Sequence, residues 1–225
     1  ASSGIDGLTV SVAKGAAAAA LWAANSLGWA AQPLALHPAN SHYFFFRGKS
    51  AVLVSSGEHY GAVLNLDFNY RRYLDTLAAA GLNHTRTFTG VYSEAPGSFN
   101  IAGNTLAPAP GRLIAPWARS GAPGAGDGGN KFDLDRWDPA YFARLEDFVR
   151  YAGKRGVVVE LSLFCPYYRD EMWNLSPLNA RNNVNGEGNV PRTGVLTTGN
   201  APLLGRQDAM VRKIVDALRS FDNLY

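Results

Sequence analysis

Aromatic rings, carboxamides and carboxylates recur in the Gly- and Pro-rich stretches of this 225-residue chain. Together they suit one kind of ligand. The C–H faces of a pyranose ring stack on aromatic rings, while its hydroxyls exchange hydrogen bonds with polar side chains. The rings and polar groups placed to do this are His59, Tyr60, Tyr92, Trp117, Tyr167, Tyr168 and Trp173, with Asn182 and Asn183. For any one ring, ordinary loop packing is the other reading, because large aromatics are often partly buried. As a set on connecting loops they favour a cleft. Among the acids, Glu58 can contact a ligand or close a salt bridge within its own loop. Glu94 and Glu171, in long loops, are expected to be solvated. Glu160 alternates with apolar neighbours and is expected to make a structural ion pair.

Other chemistries find little support. His59 and His84 fall on different elements, and Asp133, Asp135 and Asp138 lack the flanking ligands and glycine of a calcium loop, so neither a metal nor any cofactor is expected. Gly124-Ala125-Gly126-Asp127-Gly128-Gly129 has no strand before it and reads as a plain flexible loop rather than a phosphate cradle. Twenty-one basic and 18 acidic residues are interspersed without runs, which leaves no electrostatic footprint for nucleic acid. The single cysteine, Cys165, allows no internal disulfide.

The elements that must position these residues follow from periodicity. Residues 1–37 read as an N-terminal segment, either a signal peptide or a linker. Lys14-Gly15 and the apolar run from Ala16 to Trp29 read either as an export signal cleaved after Ala30, placing the protein in a secreted or periplasmic setting, or as an alanine-rich packed helix. That run falls short of about 18 clean apolar residues, so no membrane span is expected. His42 to Phe46 and Ala51 to Ser55 read as two strands joined by the turn Arg47 to Ser50. Asp67 can cap a helix with Tyr70, Tyr73, Leu74, Leu77 and Ala78 on its apolar face, ending at Gly81.

His84 to Phe88 is a short strand. An irregular stretch then runs to Trp137, where Asp138-Pro139 starts a helix buried through Tyr141, Leu145, Phe148, Val149 and Ala152, and closed by Gly156. Val157 to Phe164 is a nearly continuous apolar strand of the kind covered on both faces. After a loop from Cys165 to about Ala201, Met210, Val211, Ile214, Val215 and Leu218 mark a third helix, and Leu224-Tyr225 look like the opening of a fourth strand. Helix-to-strand joints are short, whereas the two later strand-to-helix connections are long. Long loops leaving the carboxyl ends of strands are where barrel enzymes and open α/β sheets build their sites.

The order of these features resembles the cellulase-like glycoside hydrolases of clan A, the broad group that includes family 5. The features are the hairpin Tyr43 to Val54, the loop Gly57-Glu58-His59-Tyr60-Gly61, the strand Thr85-Arg86-Thr87-Phe88 and the run Phe221-Asp222-Asn223-Leu224-Tyr225. The resemblance spans about residues 38–225. It implies an α/β fold, a partial (β/α)8 TIM barrel holding the first three βα units behind an N-terminal β-hairpin, and an enzyme that hydrolyses β-linked polysaccharide or oligosaccharide. Arg86 occupies the place of the arginine that supports the nucleophilic carboxylate; bridging to a neighbouring carboxylate in the wall is its other reading. The family's acid/base glutamate, on strand four, and its nucleophile, on strand seven, have no counterparts here, and retaining hydrolysis needs two carboxyl groups about 5 Å apart. The expectation is therefore an inactive amino-terminal piece of a glycosidase, with a non-catalytic carbohydrate-binding protein as the alternative.

Overall fold

Arg47 and Gly48 both take positive φ, 48° and 80°. That pair of left-handed residues makes a two-residue hairpin turn whose twist matches the flanking strands. It joins β2 (Phe44–Phe46) to β3 (Lys49–Ala51), with Phe46 opposite Lys49. A short β1 (Ala35–Leu36) pairs antiparallel with β2, giving the sheet order β1-β2-β3. The turn is tighter than the four residues expected, so the second strand starts at Lys49 and ends at Ala51. Beyond it Val54 is tied to Asn83, whose side chain also donates to the Val52 carbonyl.

This computed structural model describes residues 32–55 and 59–225. The expected export signal or alanine-rich helix, and Glu58, lie outside them.

Helix α1 (Tyr70–Ala79) is capped by Asn69, whose side-chain oxygen accepts from the Arg72 amide at 3.0 Å. The expected cap, Asp67, instead accepts from Arg112. At the other end Gly81 sits at φ 73°, the Leu82 amide donates to Leu77 and the Gly81 amide to Ala78. These paired bonds satisfy carbonyls the last turn would leave open, and they need a residue free to be left-handed. β4 (His84–Phe88) follows at once, residue for residue as expected.

The second unit repeats this logic. Asp138 accepts from the Ala140 and Tyr141 amides, Pro139 takes the first helical position, and the next helix (Pro139–Lys154) ends on Gly156 with Val157 bonded to Ala152. Its buried stripe includes Tyr141, Leu145, Phe148, Val149 and Ala152, as the spacing implies.

Strand Val158–Ser162 pairs parallel with β4, setting His84 beside Val158, Arg86 beside Glu160 and Phe88 beside Ser162. The last helix (Ala201–Leu218) is capped by Asn200, and beyond it Leu224 makes a parallel bridge to Val159. Parallel neighbours thus follow in chain order after each helix. The described strands close no barrel. Side chains alternate across a strand. Thr85 and Thr87 are fully buried, and the Tyr73 hydroxyl of α1 lies 2.8 Å from Thr85 Oγ1, so His84, Arg86 and Glu160 share the opposite face.

The long connections are more ordered than their composition suggests. Residues 89–137, expected to be irregular, contain the antiparallel hairpin β5 (Trp117–Pro123) and β6 (Asn130–Trp137). The pairing slips twice, between Trp117 and Arg119 and again before Pro123. The glycine cluster expected to be a plain flexible loop is this hairpin's turn. Arg119 holds it there, reaching Asp127 with both terminal nitrogens while its guanidinium lies 3.8 Å from the Phe132 ring centre. The later connection contains the short α3 (Asp170–Trp173) and single 3-10 turns at Ala180–Asn182 and Arg192–Gly194. With β7 as Val158–Ser162, Pro139–Lys154 is α2 and Ala201–Leu218 is α4.

Arg144 of α2 anchors the loop after residue 59. Its guanidinium donates to the carbonyls of Ala62, Val63, Asn65 and Phe68 at 2.8–3.1 Å.

Candidate functional site

Parallel register puts Arg86 and Glu160 side by side on the sheet face away from the helices. Arg86 Nε lies 2.7 Å from Glu160 Oε1, and a terminal guanidinium nitrogen donates to Oε2 at 3.0 Å. The Tyr225 hydroxyl donates to the same Oε2 at 3.3 Å and lies 3.0 Å from His84 Nε2. Glu160 thus makes the expected ion pair, and its partner is Arg86, which here takes the bridging one of its two readings.

From Arg86 a run of rings leads into the loops. Its guanidinium lies 5.8 Å from the Tyr60 ring centre, and Tyr60 stacks on Phe88 at 5.2 Å and 11°. Phe88 meets Tyr92 edge-on at 5.8 Å, Tyr92 meets Tyr167 at 5.8 Å, and Tyr167 meets Trp173 at 5.0 Å. The carboxyl ends of β4 and β7 therefore share one aromatic rim.

At that rim lies Glu94, which sequence reasoning placed in solvent. It is 6% exposed. The Tyr92 hydroxyl donates to Oε1 at 2.9 Å and Asn104 Nδ2 to Oε2 at 2.6 Å, while the Glu94 amide donates to the Leu106 carbonyl. Glu94 lines a cavity of about 390 Å³ together with His59, Tyr60, Phe99, Ile101 and Asn104. It also lines a second, of about 380 Å³, with Pro96, Pro110 and Asp127. No sequence signal marked Glu94, because its burial depends on Asn104 and Leu106 folding back over it.

The other expected contacts divide in two. His59 and Tyr60 are half-buried and face the larger cavity. Burial holds the His59 imidazole below its ordinary pKa and so favours the neutral ring. Tyr92, Tyr167, Trp173, Asn182 and Asn183 are instead buried and hydrogen-bonded within the protein, and Trp117 is buried by ring packing. Trp117, 1% exposed, stacks on Trp137. The Tyr167 hydroxyl donates to the Val91 carbonyl and lies 2.9 Å from Ser176 Oγ, and Trp173 Nε1 donates to the Val190 carbonyl. Burial drives the Tyr92 and Tyr167 hydroxyls well above their usual pKa.

Asn182 accepts from the Gly126 amide and donates to the carbonyls of Asn174 and Ser176. Asn183 donates to Pro177, Asn179 and Glu187 carbonyls and accepts from the Glu187 amide. These two amides pin the loops that form the rim. Exposed there instead are Phe99 and Tyr168. Among the described residues no three His, Cys, Asp or Glu side chains gather into a metal site.

No family model matches the chain, and no curated protein sequence does. Among solved structures it is similar to a "putative glycoside hydrolase" from Bacteroides vulgatus, at TM-score 0.53 and 16% identity over 87% of this chain. It is also aligned with a glycoside hydrolase family 5 mannosidase from Rhizomucor miehei, at TM-score 0.42 and 8% identity over 84% of this chain. The chain spans 31% of the first of these structures and 43% of the second. The likeness is one of fold: the described residues form a mixed α/β arrangement like part of the first of these structures.

Proposed function

We propose that this chain contributes the first three strand-helix units of a clan A-type glycoside hydrolase barrel, whose whole protein hydrolyses O-glycosyl bonds in a β-linked polysaccharide or oligosaccharide outside the cytoplasm. The observation that carries this reading is the Arg86–Glu160 pair, set on the sheet face opposite the helices with Tyr60 beside it at the mouth of a loop cavity. In that role Arg86 is a positioning residue. It holds the carboxylate that attacks the anomeric carbon, and Glu160 fixes the guanidinium in the orientation this needs. His59 and Tyr60 contact the sugar, whereas the buried rings and asparagines shape the loops behind them. Both reacting carboxylates come from parts of the barrel beyond the third helix, so the chain alone does not turn over.

Reducing-end release from β-linked glucans, mannans and xylans tests this. The whole protein is expected to release reducing ends and the 225-residue chain to release none. Turnover by the chain alone would overturn the division of labour. Tight glycan binding by the whole protein without release would identify a non-catalytic carbohydrate-binding protein.

A further inference from the structure

The loop between Ser93 and Leu106 holds two features that the Arg86 centre does not use. The first is Glu94. A carboxylate this buried is costly unless compensated, yet its described partners are a phenol and an amide, both neutral. Two donors do not fill the roughly four lone-pair sites of a carboxylate. The two cavities it lines contain no Lys or Arg among their lining residues. Their other ionisable groups are Asp127, paired with Arg119, the Tyr60 phenol, and His59, whose burial favours the neutral imidazole. Hydrogen-bond donors therefore find an acceptor there, whereas an acid finds no cation in the lining.

The second feature is Phe99. It sits at φ 56°, ψ 15°, in the left-handed region where a bulky residue is strained by on the order of 1–3 kcal/mol. The residue is nonetheless 46% exposed. Neighbours orient it: Tyr168, 58% exposed, meets it edge-on at 6.0 Å, and the Arg169 guanidinium lies 5.3 Å from its centre. A strained backbone thus presents a fixed aromatic ring to water in the lining of the cavity that holds Glu94.

We propose that this loop extends the cavity beside Arg86 into an adjoining glycan subsite, taking a sugar residue that carries no acid group. The Phe99 ring stacks on the pyranose face, and Glu94 accepts hydrogen bonds from its hydroxyls or from an amino group. The subsite rests on the carbohydrate reading above but not on hydrolysis.

Calorimetric titration of the 225-residue chain with cello- and manno-oligosaccharides, chitosan oligomers and oligogalacturonates tests it. Neutral or amino oligomers are expected to bind and oligogalacturonates not. Phe99→Gly removes the ring and relieves the strained φ. It is therefore expected to leave the thermal midpoint unchanged or higher while weakening binding about tenfold. Glu94→Gln is expected to weaken binding comparably. Preference for oligogalacturonates, binding by none of the oligomers, or full affinity in folded Phe99→Gly would overturn the subsite. Hydrolysis by the whole protein with unchanged KM in Phe99→Gly would sink the subsite and leave the glycosidase reading standing. Phe99-dependent binding without hydrolysis would do the reverse.

Discussion

Arg86 and Glu160 are register partners across the β4–β7 pair and bond through two nitrogen–oxygen contacts, at 2.7 and 3.0 Å. Parallel register puts them on one face, and each is about a quarter to two-fifths exposed. Such a pair falls between the surface and the buried limit. Replacing Glu160 with Ala is expected to cost about 1–2 kcal/mol in urea unfolding. In the whole protein it should also lower kcat more than it raises KM, because Arg86 loses its orientation. An equal loss from Glu160→Gln, which keeps shape and one acceptor, would argue that charge matters and packing does not.

Arg144 satisfies carbonyls of four residues in the loop that carries His59 and Tyr60. Removing it leaves the buried Ala62 and Val63 carbonyls unmet, while those of Asn65 and Phe68 keep the amides of Phe68 and Tyr70. Arg144→Ala is expected to destabilise by about 2–4 kcal/mol. Lysine cannot span the same fan of acceptors, so Arg144→Lys should recover less than half of the loss. Recovery to the parent midpoint with lysine would show that charge alone suffices.

How much of this was legible in sequence differs by element. Helix α2 and strands β4 and β7 were read closely because Asp138-Pro139, Gly156 and a run of valines each act locally. Hairpin β5–β6 was missed because its strands include Gly121 and Pro123 and its register is broken twice, so no alternation of apolar residues marks it. The rim was read by residue type, which finds aromatics without their direction. Tyr92 and Tyr167 point inward, while Phe99 points outward through a left-handed backbone that no local pattern announced. The burial of Glu94 is tertiary in origin and could not be read from its neighbours in sequence.

Gly61 packs where an added Cβ would lie 2.0 Å from the Thr105 carbonyl oxygen. The same two residues are joined by a bond from the Gly61 amide to Thr105 Oγ1 at 3.1 Å. Gly61→Ala must therefore push the 59–65 segment away from residues 104–106, which also hold Glu94. A loss of about 2 kcal/mol or more is expected, with weaker oligosaccharide binding in parallel. Parent-like stability in Gly61→Ala would mean that the two loops separate freely.

Acid should unfasten the hairpin from the end of the sheet. Arg47 donates to both carboxylate oxygens of Asp222 at 2.6 and 2.7 Å, and to the Gly153 carbonyl. The hydrogen bonds and charge of Arg47 hold the Asp222 carboxyl below its ordinary range. A folded pKa below the unfolded one means that the unfolded chain takes up the proton first. The stabilisation is then complete above the unfolded value of about 4, and drains away as pH falls through the lower folded value. Asp222→Asn removes this contribution at every pH. Thermal midpoints measured from pH 6 to pH 2.5 should thus lie below the parent's at pH 6 and converge with it at the acid end. A constant gap across the range would mean that the variant's loss is packing and not ionisation.

An open apolar trough of about 240 Å³ runs between β7 and α4, lined by Leu161, Leu163, Ile214, Leu218 and Leu224, with Val215 exposed at its edge. Apolar surface left to water next to a sheet edge binds apolar dyes and other copies of the same chain. The 225-residue chain is expected to enhance the fluorescence of an anilinonaphthalene dye and to sediment heavier as concentration rises. Val215→Lys lengthens a side chain over the trough and brings a charge that neighbouring copies share, so it should reduce both signals with no loss of helical circular dichroism. Dye binding and sedimentation identical to the parent's would place the adhesive surface elsewhere on the chain.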